Sequence, residues 1–366
     1  MFSSADRDYM ALALELAKHG LYSATPNPRV GCVIVNGGEI VGKGWHQRAG
    51  EAHAEVHALR EAGVMAQGAT AYVTLEPCAH AGRTSPCTEA LIAAKVVRVV
   101  CAMGDPNPLT AGGGLKHLTA AGISAECGLF EREAKELNIG FVTRMKQKRP
   151  WIRLKIAASL DGKTALYNGV SQWITGPAAR QDGHSWRARA CAIASGIGTI
   201  IADDPLLNVR EVATDRQPLK VIVDSLLRIS LDAHVFKTGN VLVATITSDH
   251  EKIDSLKARG AEVALLPDKN GQVDLFSLMN LLSGKGVNEL HVEGGRSLNG
   301  ALVKAGLADE LLIYLAPSLI GDKAFGMFTL QELDTLSEKQ CLSIHDVRMI
   351  ESDVRIMARF LRQDVF

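Results

Sequence analysis

The chain has 366 residues, 47% of them hydrophobic and 22% charged, which is the balance of an ordinary soluble globular protein and too long for one typical core. Forty basic residues offset forty acidic ones, so the basic excess of a nucleic-acid binder is missing and a small-molecule substrate is expected. Seven cysteines, an odd number, fit free thiols in a reducing cytosol better than a disulfide framework.

The opening residues carry Asp6, Arg7 and Asp8 with no apolar signal core, and no apolar run reaches the ~18 residues of a membrane span. A soluble, cytoplasmic protein is expected. Residues 6–18 predict a helix with Met10, Leu14 and Ala17 on one face, stopped by Pro26-Asn27-Pro28. A strand over 30–35, a turn at Asn36-Gly37-Gly38 and a returning strand over 39–45 follow. A helix is predicted from about His53 to Leu59, a strand over 71–75, a helix over 87–94 and a strand over 96–102. This alternation predicts an α/β sandwich with ligands at strand and helix ends. The charged stretch from Lys146 to Pro150 ends in a helix breaker, and the domain boundary is placed there, giving domains 1–147 and 148–366. Beyond it, strands are predicted over 151–157, 190–194, 220–223, 241–246, 262–266, 289–292 and 310–316, with helices between several of them. A mostly parallel, helix-covered sheet is expected.

His53-Ala54-Glu55, then Pro77-Cys78, then Cys87 form the chain's chemical core. One imidazole and two thiols suit zinc, and three such ligands leave a fourth tetrahedral position for water. Glu55 is placed to move protons to and from that water, the pattern of zinc deaminases acting on pyrimidine or purine amines. Residues two apart in a regular helix point about 200° apart, so His53 must sit at a helix N-terminus. Cys87 or its neighbours are expected at a second N-terminus, where the helix dipole favours thiolate. Two rival readings pair His53 with His57, or close the site with His80 as a fourth structural ligand.

The run Thr74-Leu75-Glu76-Pro77-Cys78-Ala79-His80-Ala81-Gly82-Arg83-Thr84-Ser85-Pro86-Cys87 resembles the deaminases of riboflavin biosynthesis. So do the runs from Thr25 to Val33 and from Trp45 to Glu51. Eight residues separate the two cysteines, where nucleoside and tRNA deaminases have two. The resemblance covers the whole chain, because the bacterial RibD family fuses this deaminase to a reductase. It implies zinc ligation by His53, Cys78 and Cys87, proton transfer by Glu55, and an N-terminal cytidine-deaminase-like αβα sandwich. Asn27, His46, His80 and Arg83 are polar residues of the matched loops and plausible substrate contacts.

No Gly-x-Gly-x-x-Gly follows the first strand of the second half, which argues against a Rossmann domain. Instead Val292 to Ala301 reads as a strand, a glycine turn and a helix start, whose free N–H groups can bind phosphate. The runs Leu154–Lys163, 171–175 and 197–205 are similar to the reductase domain of the same family. The resemblance implies a dihydrofolate-reductase-like α/β fold and NADPH. It further implies substrate contacts from Ser171, Arg187, Leu207, Arg210 and Glu293. Cofactor contacts are implied from Ala157, Trp173, Thr175, Thr199, Asp203, Ser225 and the turn Gly295, Arg296, Ser297, Leu298, Asn299, Gly300 and Ala301, with Lys155 beside them. Arg187 and Arg210 are expected to grip a ribose 5-phosphate. Lys155 and Asp203 are the proton-transfer candidates.

The function expected is deamination of 2,5-diamino-6-(5-phosphoribosylamino)pyrimidin-4-one followed by NADPH reduction of the ribosyl side chain, giving 5-amino-6-(5-phosphoribitylamino)uracil. The competing reading is a nucleic-acid-editing deaminase with a C-terminal binding module, which neutral charge and sparse aromatics oppose. A homo-oligomer, dimer or tetramer, follows from the family, with apolar C-terminal segments suited to an interface.

Overall fold

The computed structural model describes residues 2–79, 85–108 and 110–361. His80 and Arg83, expected as substrate contacts, lie outside the described residues. The chain divides into two compact units, Met1–Lys148 and Arg149–Phe366. Among the described residues, no helix is long and apolar enough to cross a membrane.

In the first unit the order is α1 (Ser4–Lys18), β1 (Gly31–Asn36), β2 (Glu39–Trp45), α2 (Ala54–Ala62), β3 (Thr70–Val73), α3 (Cys87–Ala93), β4 (Arg98–Cys101), α4 (Gly113–Ala120), β5 (Ser124–Cys127), α5 (Glu131–Leu137) and α6 (Ile139–Gln147). The strands form one sheet in the order β2-β1-β3-β4-β5. The β2–β1 and β1–β3 pairs are antiparallel, whereas β3–β4 and β4–β5 are parallel. Ser3 caps α1 through a capping box with Asp6. Met10, Ala13 and Leu14 then face the sheet and join a core with Val33, Ile34, Val73 and Val100, and Ala17 is buried beside Gly31. On the other side α2 lies flat on β2, because Gly44 has no side chain. A Cβ there would stand 2.3 Å from the Ala54 carbonyl oxygen. That close approach fixes where α2 begins. The expected elements are present with boundaries shifted by a few residues; α4 to α6 and β5 were not expected.

The second unit runs β6 (Trp151–Ser159), β7 (Lys163–Ala165), α7 (Pro177–Arg189), β8 (Ala192–Gly196), α8 (Ile197–Asp203), β9 (Leu219–Val223), β10 (Val241–Thr245), α9 (His250–Ala258), β11 (Ala261–Leu265), α10 (Leu275–Gly284), β12 (Glu289–Val292), α11 (Arg296–Lys304), β13 (Glu310–Ala316), β14 (Phe325–Gly326), β15 (Leu342–Ile350) and β16 (Asp353–Phe360). Nine strands form a sheet in the order β11-β10-β9-β8-β12-β6-β13-β16-β15. Every pair from β11 to β13 is parallel, as the buried apolar runs predict. The sequence reading missed the antiparallel ribbon of β16 and β15 at the far edge. The central strands bury both faces, with Leu154, Ala194, Val221, Leu242 and Leu290 enclosed in one cluster and Ile193, Ile222 and Val243 in another. Beneath them Arg153 is sealed between Glu289 (3.1 Å) and Glu310 (2.6 Å), a buried charge that two carboxylates neutralise.

Candidate functional site

In the first unit, His53 is the N-cap residue of α2 with extended backbone (φ −75°, ψ 166°), so it and Glu55 are not on opposite sides of a regular helix. Cys87 is the first residue of α3. Both helix starts meet the segment leaving β3, and one ligand atom each from His53, Cys78 and Cys87 lies within 4.8 Å of the others. His53 Nδ1 is 3.1 Å from Cys87 Sγ and 3.6 Å from Cys78 Sγ. This nitrogen-and-two-sulfur donor set fits zinc. His57, the rival ligand, is not part of the cluster.

Electrostatics refine the expectation about the thiols. The backbone N–H of Cys87 donates to Cys78 Sγ at 3.3 Å, so the α3 start serves the neighbouring sulfur and not its own. The hydrogen bond from Cys87, assisted by His53, brings Cys78 down to about 4, while the same shared proton and burial push Cys87 up. The hydrogen bond to Cys78 raises the His53 pKa against the opposing effect of burial.

Glu55 is buried, and desolvation raises its pKa above the ordinary glutamate value. It stands in a cavity of about 470 Å³ that Asn27, His46, His53, Cys78 and Asp105 also line. His46 is buried and held below its usual pKa mainly by desolvation. Its Nδ1 lies 3.1 Å from the Ala52 carbonyl oxygen and therefore carries the proton. Its Nε2 is then the acceptor for Asn27 Nδ2, 3.0 Å away. Sequence reasoning missed Glu76, Asp105 and Asn107 in this wall.

The second unit contains a cavity of about 1870 Å³, well above the ~300–1,000 Å³ of a single small-ligand site. Lys155, Ala157, Ser171, Trp173, Thr175, Arg187, Thr199, Asp203, Leu207, Arg210, Ser225 and Glu293 all border it, as do Gly295 to Asn299 and Ala301. Gly300 does not: α11 presses it against Thr329, and a Cβ there would stand 2.1 Å from that carbonyl oxygen. Its glycine is a packing requirement of α11. The N–H groups at the start of α11 and the buried, unpaired Asn299 Oδ1 provide donors and an acceptor that suit a phosphate-bearing dinucleotide.

Arg187 does not stand free for a phosphate. Its Nε and Nη2 donate to the two oxygens of Glu293, the latter at 2.7 Å, and its Nη1 donates to the Asn208 carbonyl at 2.9 Å. Burial alone would raise the Glu293 pKa, but the Arg187 charge and hydrogen bonds hold it well below the usual range. Arg210 Nη1 donates to Asn208 Oδ1 at 2.7 Å. Burial holds Lys155 below the ordinary lysine value, partly offset by the Glu293 charge. Asp203 accepts from Ser171 Oγ at 2.9 Å. Arg180 and His184, missed in the sequence, share the cavity wall with Arg187, and their spacing on α7 (180, 184, 187) was a legible signal.

Comparison with known proteins matches residues 3–103 to the cytidine and deoxycytidylate deaminase zinc-binding region and residues 150–353 to the RibD C-terminal domain. The chain is 47% identical to the riboflavin biosynthesis protein RibD of Escherichia coli over 95% of this chain and 98% of that one. It is 45% identical to the Haemophilus influenzae RibD over 97% of each. Its fold superposes on Acinetobacter baumannii RibD with a TM-score of 0.91 at 43% identity, covering 98% of this chain and 99% of the other. The Thermotoga maritima deaminase/reductase superposes with a TM-score of 0.87 at 32% identity and the same coverage.

Proposed function

The chain belongs to the RibD family of riboflavin biosynthesis, and from that premise we propose how its residues divide the chemistry. The protein is a bifunctional enzyme, a zinc deaminase and an NADPH-dependent reductase. We assign deamination of the diaminopyrimidine to residues 1–147 and reduction of the ribosyl side chain to 148–366.

His53, Cys78 and Cys87 would hold zinc, which supplies Lewis-acid activation of water when bound. Glu55 is the proton carrier. Burial raises its pKa, so it can take a proton from the attacking water and deliver it to the ring nitrogen, then take the proton of the added hydroxyl and deliver it to the departing amine. His46 orients Asn27 by taking its Nδ2–H, which leaves Asn27 Oδ1 as the acceptor for a pyrimidine N–H. His80 and Arg83 are proposed as further substrate contacts on the family resemblance.

In the reductase, NADPH supplies the hydride for the opened ribosyl carbon. The start of α11, from Gly295 to Asn299 and Ala301, would receive its phosphates, with Ala157, Trp173, Thr175, Thr199 and Ser225 along the remaining wall. Arg210 is the arginine proposed for the substrate phosphate. Arg187 and Glu293, already paired, present a neutral hydrogen-bonding surface beside Ser171 and Leu207. Lys155, made a weaker base-holder of its proton by burial, is the proposed proton source, with Asp203 fixed by Ser171.

The convergence of His53, Cys78 and Cys87 beside buried Glu55 carries this reading. Glu55→Gln is expected to lower ammonia release by about 10³-fold while NADPH oxidation on the deaminated intermediate persists. Loss of both activities in a folded variant would refute two independent sites. We also propose a cytoplasmic homo-oligomer, dimer or tetramer, that binds no nucleic acid. Edge strand β15 exposes Ile344, Val347 and Met349, an apolar row suited to a second copy. A monomeric sedimentation coefficient at micromolar concentration would remove that part.

A further inference from the structure

Glu76 follows β3 and stands two residues before Cys78. It is 5% exposed, and no lysine or arginine of the described residues pairs with it. Four backbone N–H groups converge on its carboxylate instead. Asp105 and Gly112 each donate to Oε2 at 3.0 Å. Gly114 and Leu115 donate to Oε1 at 2.9 and 3.1 Å. The last two belong to the first turn of α4, whose N–H groups have no partner within the helix, so Glu76 caps α4 from a neighbouring strand end. The fit is close: a Cβ on Gly114 would stand 1.9 Å from the Pro77 carbonyl oxygen.

The segment pinned in this way carries Asp105 and Asn107, both in the wall of the first unit's cavity. Asp105 is itself fixed, accepting from the Asn107 N–H at 2.9 Å and from Thr110 Oγ1 at 2.5 Å. The metal-ligand groups are held by other bonds. Cys78 Sγ accepts from the Cys87 N–H, and the Cys78 carbonyl accepts from the Thr88 N–H at 3.2 Å.

We propose that Glu76 is a positioning residue for the deamination substrate, acting through residues 105–108 and 110–115 to hold Asp105 and Asn107 as one wall of the cavity. This rests on the deaminase reading of the first unit. The segment packs against Pro77, but among the described residues the zinc ligands and Glu55 make no hydrogen bond to it, so releasing it weakens substrate binding more than it slows the reacting centre.

Glu76→Gln in the full chain keeps the side-chain size but turns one acceptor oxygen into an N–H₂ donor facing backbone N–H groups. The expected result is a KM for ammonia release raised about tenfold, since charge-assisted hydrogen bonds are lost, with kcat and zinc content close to wild type. Glu76→Asp restores part of the lost affinity. Gly112→Ala leaves the Glu76 side chain in place but strains the segment at a backbone φ of +75°, at a residue whose N–H donates to Glu76 Oε2, and shifts KM in the same direction. An unchanged KM in Glu76→Gln overturns the proposal, as does a fall in kcat and zinc content at unchanged KM. If Glu76→Gln does not accumulate folded, Gly112→Ala decides: an unchanged KM there overturns it. Wild-type protein that releases no ammonia refutes the deaminase reading instead, whatever the variants do.

Discussion

The two units solve the problem of a reactive cavity with opposite uses of charge and chain. In the first, the reacting groups come from one stretch between His53 and Cys87 and converge on a cavity of about 470 Å³. Its glutamate, Glu55, is raised in pKa chiefly by burial, with a smaller push from the Cys78 charge. In the second, groups from Lys155 to Ala301 surround about 1870 Å³, and its glutamate, Glu293, is kept anionic by Arg187. A carboxyl that must carry a proton is isolated, whereas one that must hold a shape is paired. A metal lets three side chains define a site. A dinucleotide and its substrate need an extended wall, and so many segments.

The sharpest way to break this comparison is to unpair Glu293. Arg187→Ala strands a buried carboxylate, and is expected to cost the second unit's unfolding transition about 3 kcal/mol. It should abolish NADPH oxidation but leave ammonia release intact. Adding Glu293→Gln to Arg187→Ala should recover part of the stability, because the carboxylate left without its arginine is removed. Denaturant unfolding of the single and double variants checks this, and additive losses would contradict the pairing.

A smaller effect sharpens the contrast through pH. Burial, reinforced by the charges of Arg187 and Arg210, brings His184 down to about 4 from its ordinary 6.5. Between those two values the unfolded chain binds a proton that the folded chain refuses, so stability falls as pH drops from 6.5 towards 4. The loss is on the order of 2 kcal/mol at the acid end, and none of it is present above the unfolded pKa. His184→Gln should flatten that slope in melting temperature measured across the window; an unchanged slope would mean another group titrates there.

The contrast also explains what the sequence disclosed. His53-Ala54-Glu55 and Cys78 with Cys87 were legible because metal ligation demands rare residue types at fixed spacing, and even the helix start at His53 followed from the angle between residues two apart. The parallel strands of the second unit were legible as apolar runs. The β15–β16 ribbon was not, because Arg355 and Met357 are buried while Ile344 and Met349 are exposed, so hydrophobicity no longer marks a face. The Arg187–Glu293 pair joins residues 106 positions apart, which no local pattern records. Glu76 escaped notice for a different reason: its partners are backbone N–H groups, which every sequence offers. The thiolate was expected on Cys87 because its helix start was legible, but the N–H of that start points at Cys78.

The account depends most on the three converging ligand atoms of the first unit. X-ray absorption at the zinc edge of the active protein, with metal content measured on the same sample, tests it directly. The predicted result is one zinc per chain with two sulfur neighbours and one histidine nitrogen from the protein, lost together with ammonia release in Cys78→Ala. Active protein free of zinc, or zinc enclosed by four protein ligands with His80 as the fourth, would contradict it.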